Sequence, residues 1–596
     1  MDDRVKPWVR SAAAVLLLVV AALALSWIAV PRPQAFFSHL SMAYVLANTL
    51  PMLVVFALIF CLTLRPLSSA LLTIFAATLV VLGSNFKFSV VSQPLVISDF
   101  VMADQVVGNA DLFNTYFVEQ WYLGVLLLVL LAPPVLVLFL EKPLNKRRPL
   151  RAGLALFALV AAISIPGWAF KQGSPGQQIY AALDLPSYGR NPIANVKAGG
   201  LLGSLVGSAS EFYFEMPRRT TGNDSKRQEL VRAAIAQPAV SGQPYPDLIV
   251  VQSEAFFDFR LLDTRFPNDF YESWDRLKRN AIHGFIRVDT YGGATLRTEF
   301  SALTGIPLEL FSGGVDYPYF SVVTYPFHSL PRYLRSLGYE TIAIHPYTAS
   351  FWNRDLVYPR LGFDQFISVA SFQEAARDGP YVSDAAVCKK ILDVLQELSR
   401  PAFVFVVTME NHGPWSFERG SPDTSRKFDY INDPAAMLAL NRYLYHQQNG
   451  MRMAQCLIEA LKQRRRPAAL LFFGDHAPAI PIVYRELGLS NPWGSQAIMT
   501  VPFLAWRSWR HAPERRDFHI SYLPSFLLGI SGLKMDDFFA ANAYMRKRCK
   551  MGLKGCNVDE ETKSAYAGLV SDRFAPAEAT PKAAGKATVS RNQVLQ

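Results

Sequence analysis

The strongest constraint on how this chain can fold is a set of five uncharged apolar runs within its first 170 residues, at Ser11–Val30, Ser41–Leu64, Pro66–Ser84, Trp121–Leu140 and Ala152–Phe170. Each is near the ~20 residues a helix needs to cross bilayer hydrocarbon. After Phe170 no such run recurs, so the hydrophobic fraction of 51% reads as a membrane part followed by a globular part, not as one large soluble core. The loop EKPLNKRRPLR between the fourth and fifth runs carries Lys142, Lys146, Arg147, Arg148 and Arg151 against the single Glu141, which predicts a cytoplasmic loop. Arg4, Lys6, Arg10 and Arg65 fall on the same side. Five spans put the two chain ends on opposite sides. The expectation is therefore a multi-pass protein of the cytoplasmic (inner) membrane, with a cytoplasmic N-terminus and its large remainder periplasmic or extracellular. Ala22-Leu-Ala24 resembles a signal-peptide processing site, but the apolar run continues through Val30 and four more follow, so the first run is read as a retained span.

Four domains are predicted: residues 1–170 as a five-helix transmembrane domain, 171–245 as a Gly-, Pro- and Ser-rich connector, 246–540 as a catalytic domain, and 541–596 as a C-terminal extension, disordered from about Pro576. The connector has helical patterns around Asn195–Ser208 and Lys226–Ala236. The net charge of +11 lies largely beside the membrane and in the tail, where it suits anionic lipid headgroups better than nucleic acid. Five cysteines occur; Cys61 is inside a span, and Cys549 and Cys556 either close a small disulfide loop or remain thiols.

In the outer part, DLIVVQSEAFF, TIAIHP, FVFVVTMENH and AALLFFGDHAP are continuous apolar strands ending in polar residues, as buried parallel strands do. Helical patterns lie between them at Leu330–Leu337, Asp384–Leu398 and Tyr443–Lys462. This alternation predicts an α/β domain with a mostly parallel sheet. Ligands of such sheets bind beyond the carboxyl ends of the strands. Those ends carry Glu254, His345, Asn411 with His412, and Asp475 with His476. Two carboxylates and an imidazole suit a divalent cation. In TYGGATLRTEF the glycine pair Gly292-Gly293 lets the backbone approach a phosphate, and Thr295 opens a helix. Its hydroxyl could complete the metal set and attack phosphorus. Taken singly, Thr295 also reads as a helix N-cap, Glu254 as a cap or an arginine's partner, and His412 as a core histidine. Their common placement at the strand ends of one domain favours a site.

The order of five spans, connector, Ser253-Glu254, Gly-x-Thr295-x-x-Thr-Glu-Phe, Phe351-Trp-Asn-Arg-Asp355, Asn411-His-Gly413 and Gly474-Asp-His476 resembles the lipoteichoic acid synthase family of membrane phosphoglycerol transferases, in the alkaline phosphatase and sulfatase superfamily. The segment 85–99, NFKFSVVSQPLVISD, is similar to that family's outer loop between spans three and four. The resemblance implies a sulfatase-like fold and one divalent ion, manganese or magnesium rather than zinc, held by Glu254, Thr295, Asp475 and His476. It implies Thr295 as the nucleophile and His345, Trp352, Arg354 and His412 around the headgroup. Arg354 would offer a fork to phosphate oxygens, Trp352 an apolar wall and His412 a proton carrier. The implied partners are a membrane phospholipid donor, phosphatidylglycerol by this family or phosphatidylethanolamine by a related one, and a glycan or glycolipid acceptor. The chain departs from the family where it has Ala294 instead of Lys before the threonine, and Leu296-Arg297 instead of Ser-Asp after it. Arg297 either replaces the missing cation or is an exposed helix arginine. A sulfatase reading would need a C/S-x-P-x-R motif, which the sequence lacks. A catalytically inactive membrane scaffold is the reading from another class.

Overall fold

The structure, a computed structural model, describes residues 7–31, 40–91, 93–102, 122–144, 191–208, 224–235 and 245–577, apart from 312–316, 416–418, 490–491 and 511, with short pieces between 105 and 182. Three of its helices, within Pro7–Ile28, Met42–Thr63 and Pro66–Val91, are long and apolar enough to cross a membrane. These coincide with the first three of the five expected spans. The fourth predicted span coincides with the 19-residue helix Tyr122–Leu140. The fifth lies mostly outside the described residues, as does the tail beyond residue 577.

The ends of these helices sort by charge. At one end Arg10 donates to the Lys142 carbonyl (3.3 Å), and the Leu144 N–H donates to the Leu64 carbonyl (2.8 Å). There Glu141 caps helix Pro66–Val91 by accepting from the N–H groups of Leu67 (3.2 Å) and Ser68 (2.7 Å). A carboxylate at a helix N-terminus satisfies donors that have no partner within the helix. At the opposite end Asn85 accepts from the Val30 N–H (2.9 Å) and donates to the Ile28 carbonyl (3.0 Å). Helix Pro192–Ser208 packs on Met42–Thr63. Gly200, at φ 71°, is required there, because an added Cβ would lie 2.2 Å from the Asn48 side chain.

The strands, in chain order, are β1 (Asp247–Ser253), β2 (Ile282–Arg287), β3 (Glu340–Ile344), β4 (Gln365–Ile367), β5 (Arg377–Asp378), β6 (Tyr381–Val382), β7 (Ala402–Val407), β8 (Ala468–Gly474), β9 (Thr500–Arg507), β10 (Glu514–Arg515) and β11 (Phe518–His519). All but the β5–β6 hairpin form one sheet in the order β10-β2-β9-β8-β1-β7-β3-β4, with β11 also on β2. The run from β8 to β4 is parallel, and β9 is antiparallel to both β8 and β2. The four strands read from the sequence are thus four consecutive neighbours at the sheet centre. Their continuous apolarity follows from burial on both faces: Leu248 and Val250 enter one core, Ile249 and Val251 the other, and β7 and β8 divide the same way. Strands β2 and β9 are less legible because His283 and Gly284 interrupt one and Pro502 the other.

Helices Asp384–Glu397 and Pro434–Lys462 cover one face and are joined by a Cys388–Cys456 disulfide. The longer helix begins nine residues before the predicted Tyr443, with Asp433 as its cap and Pro434 at its first position. On the other face, helices Asp537–Arg548 and Glu560–Asp572 add Phe538, Phe539, Met545 and Tyr566 to the core, and helix Asp224–Ile235 packs on both. Cys549 and Cys556, left open by the sequence, are paired. With Cys61 the single free cysteine, the denatured, unreduced chain should take one maleimide per molecule, and five after reduction. Intact-mass measurement checks this. Replacing Cys388 and Cys456 by Ala should lower unfolding free energy by about 2–4 kcal/mol in a denaturant titration.

Candidate active site

In the register of β1 with β8, Ser253 is opposite Gly474, so the next residues of both strands, Glu254 and Asp475, emerge side by side. The turn is fixed by backbone bonds. Asp475 Oδ1 accepts from the N–H groups of Ala255 (2.8 Å) and His476 (2.8 Å), and the Glu254 N–H donates to Thr408 Oγ1 (3.0 Å). His476 Nε2 lies 3.3 Å from Asp475 Oδ2 and 3.6 Å from Glu254 Oε1. Ligand atoms of all three residues fall within 4.8 Å of one another, and all three are buried.

The electrostatics of this trio call for a cation. Burial, with the Asp475 charge adding to it, pushes the Glu254 carboxyl well above the usual range, against the pull of Arg354. Burial raises Asp475 too. His476 Nδ1 donates to the Ala477 carbonyl (3.0 Å), which leaves the Nε2 lone pair facing the carboxylates. Asp475 Oδ2 and His476 Nε2 are buried without a hydrogen bond from the protein. Buried polar atoms are rarely left so, and a divalent ion would satisfy both while offsetting the crowded negative charge. The residues fit such an ion.

Thr295 begins helix Thr295–Thr304, all ten residues of which are buried. Its hydroxyl is near enough to Asp475 to pull that carboxyl's pKa down, against the effect of burial. One turn on, the Thr298 hydroxyl donates to the Asp475 carbonyl (2.8 Å), which ties the helix to the strand end. The approach is strained: Ala294 has φ 55° and ψ 44°, a left-handed conformation that costs a non-glycine residue about 1–2 kcal/mol. Among the described residues, five non-glycine residues have positive φ, and four of them, Ala255, Ala294, Trp352 and Asn353, are in this site. Such strain persists where surrounding contacts hold it, and it gathers at functional sites.

His345, at the end of β3, is buried. Its Nδ1 donates to the Val407 carbonyl (3.0 Å), and its Nε2 accepts from Arg354 Nη1 (3.0 Å). Burial and the neighbouring Arg354 charge hold its pKa far down, so it is neutral. Arg354 is also buried. Its Nε donates to both oxygens of Glu299 (3.2 Å each), and its Nη2 donates to Glu299 Oε1. The fork expected for phosphate is therefore engaged by Glu299, which also accepts from Tyr358 (2.8 Å) and Tyr319 (3.2 Å). Trp352 stands against Tyr317 (ring centroids 5.1 Å) and Phe351 (5.1 Å), forming an aromatic wall. His412 Nδ1 donates to the Gly413 carbonyl (2.7 Å), with the Tyr381 hydroxyl 3.1 Å away. Burial pushes its pKa down to about 4, with Arg419 and His476 adding to the effect. Its Nε2 is thus a proton acceptor at neutral pH.

All eight residues singled out from sequence adjoin one pocket of about 220 Å³; seven line it directly, and Asp475 is behind Glu254 and His476. That volume is below the ~300–1,000 Å³ of sites that enclose drug-sized ligands. Arg297 is buried, which sets aside its exposed reading, and it is not among the residues that line the pocket. Sequence reasoning missed Glu299, although it falls four residues after Thr295 on the same helix. It also missed Lys87, although the segment 85–99 that contains it stands out as similar to the family's outer loop.

Comparison with known proteins agrees with this geometry. Residues 246–532 match the Sulfatase family. The chain is 28% identical over 468 residues to the capsular polysaccharide biosynthesis protein RkpI of Rhizobium meliloti, covering 77% of this chain and 82% of that protein. It is 32% identical over 244 residues to a putative cyclic beta-1,2-glucan modification protein of the same organism, spanning 41% of this chain and only 37% of that relative. It is 26% identical over 208 residues to the lipoteichoic acid synthase-like YvgJ of Bacillus subtilis, covering 34% and 32%. Residues 246–532 thus form a sulfatase-like domain, and the relatives of the chain include one named lipoteichoic acid synthase-like.

Glu299→Ala should destabilise the domain by about 3–5 kcal/mol, since it leaves the buried Arg354 charge unpaired; chemical denaturation measures this. Manganese should raise the melting temperature of the wild-type protein, and Asp475→Asn should abolish that rise while leaving the metal-free melting temperature within a few degrees.

Proposed function

We propose that this protein transfers a phosphoglycerol group from phosphatidylglycerol to an extracytoplasmic glycan or glycolipid, with a divalent ion and a covalent Thr295 intermediate, releasing diacylglycerol. The observation that carries this reading is the Thr295 hydroxyl, at a strained helix start, beside buried Asp475 Oδ2 and His476 Nε2 atoms that make no hydrogen bond to the protein. When bound by Glu254, Asp475, His476 and Thr295, manganese or magnesium would supply charge that keeps the Thr295 oxygen as an alkoxide at neutral pH. In the first step a Thr295 Oγ–phosphorus bond forms as the bond from phosphorus to the diacylglycerol oxygen breaks. Protonated His412, its pKa raised by the incoming phosphodiester anion, gives its proton to that oxygen. In the second step an acceptor hydroxyl attacks phosphorus, the Thr295 bond breaks, and the acceptor's proton returns to His412. The neutral His345 keeps Arg354 Nη1 at the pocket, and Trp352 packs against glycerol carbons.

The membrane helices favour a lipid donor, because a site tethered at the bilayer meets headgroups at high local concentration. Two disulfides favour an oxidising, extracytoplasmic compartment. A glycan acceptor is supported by the names of two relatives, one concerned with capsular polysaccharide and one with a cyclic glucan. The test is purified full-length protein in detergent with manganese and a mixture of phosphatidylglycerol and phosphatidylethanolamine, followed by diacylglycerol release and the mass of the Thr295 peptide. A phosphoglycerol adduct on Thr295 is expected, with diacylglycerol release falling at least about 10³-fold in Thr295→Ala. A phosphoethanolamine adduct would overturn the donor, and neither adduct nor diacylglycerol with any metal would overturn transfer itself.

A further inference from the structure

Resting on the functional reading above, the geometry points to Lys87, at the outer end of the third membrane helix, as a substrate-binding residue that grips the phosphodiester of the lipid donor. Helix Pro66–Val91 does more than anchor the chain. Lys87, Val90 and Val91 from that helix, and Gln93 just after it, line the same pocket as Thr295 and Glu254. The junction is bonded: Gln93 donates to the Tyr291 carbonyl (2.5 Å), Gln105 donates to Asn353 Oδ1 (2.9 Å), and the Trp352 N–H donates to Gln105 Oε1 (2.9 Å). Gly292 lies so close that an added Cβ would be 3.3 Å from the Val91 carbonyl. Part of the catalytic pocket's wall therefore belongs to the membrane segment.

The charge balance singles out Lys87. Among the described residues that line the pocket, the basic side chains other than histidine are Lys87 and Arg354. Arg354 is committed to Glu299 and His345, His345 is neutral, and His412 is neutral until the donor phosphodiester is bound. Lys87 Nζ bonds both oxygens of Asp99 (2.9 and 2.7 Å), and an ammonium carries a third donor beyond those two. Asp99 is itself fixed, accepting from the Val96 N–H (2.8 Å) and from Tyr317 (2.8 Å), whose ring packs on Trp352. Asp99 thus holds the ammonium at the pocket wall. Since the helix carrying Lys87 rises from the bilayer, this cation approaches the donor phosphate from the membrane side, while Thr295 is on the domain side.

Diacylglycerol release from phosphatidylglycerol vesicles by full-length protein with manganese decides the matter. Lys87→Gln should raise KM about tenfold with kcat within about twofold, and Lys87→Arg should recover most of the loss. The melting temperature and its rise with manganese should not change. Asp99→Asn, which keeps the cation but removes its holder, should raise KM by a smaller factor, and it decides the question if Lys87→Gln fails to accumulate. Unchanged KM in a folded variant, or a loss of kcat and melting temperature without rescue by arginine, would make Lys87 a mere latch between helix and domain and overturn the inference. If wild-type protein releases no diacylglycerol at all, the functional reading fails instead.

Discussion

The catalytic arrangement depends on one piece of register: β1 and β8 run parallel, with Ser253 opposite Gly474. Parallel strands end at the same edge, so residues more than two hundred positions apart, Glu254 and Asp475, leave the sheet together and share a buried space. Two carboxylates confined this way repel each other and lose hydration. Folding the metal-free chain leaves that cost in place, and a cation removes it. A slip of one residue between these strands would turn one carboxylate toward the opposite face and end the site.

A second layer holds the organic side of the pocket in place. The buried pair of Glu299 and Arg354 is fully hydrogen-bonded: Glu299 receives two tyrosine hydroxyls, and Arg354 reaches His345, which is in turn anchored on the Val407 carbonyl. A buried ion pair is poor evidence of net stability, but breaking it is expensive, so it locks the geometry of what surrounds it. That rigidity suits a region where Ala294, Trp352 and Asn353 are held in left-handed backbone conformations. The helix that presents Thr295 also carries Glu299, so the Thr295 hydroxyl and the lock move as one body.

The membrane helices and the sheet domain meet at this pocket and not at a distant surface. Bonds from Gln93, Asp99 and Gln105 reach Tyr291, Tyr317 and Asn353, and each of these belongs to or neighbours the pocket. The basic residues Arg10 and Lys142 meet at the far end of the helix bundle, so the pocket sits on the side away from them. A headgroup whose tails remain in the bilayer would enter next to Lys87 without leaving the membrane surface.

The sequence by itself determined three apolar spans, the four central strands with polar residues at their carboxyl ends, and the candidate trio Glu254, Asp475 and His476 that the structure brings together beside Thr295. Each of these is a local signal: a run of apolar residues, or a strand followed by Glu or Asp-His. Strands β2 and β9 were hidden because polar residues, glycine and proline break their pattern, and the Cys388–Cys456 pair because a distance of 68 residues says nothing about proximity. Only the tertiary structure decided that Arg354 is spent on Glu299, that Arg297 is buried outside the lining, and that Lys87 faces the catalytic pocket. Those facts depend on which side chains of remote segments reach one another in three dimensions. Lys87 and Asp99 share the segment 85–99, but a local pattern carries no mark of the remote pocket that packing brings against it.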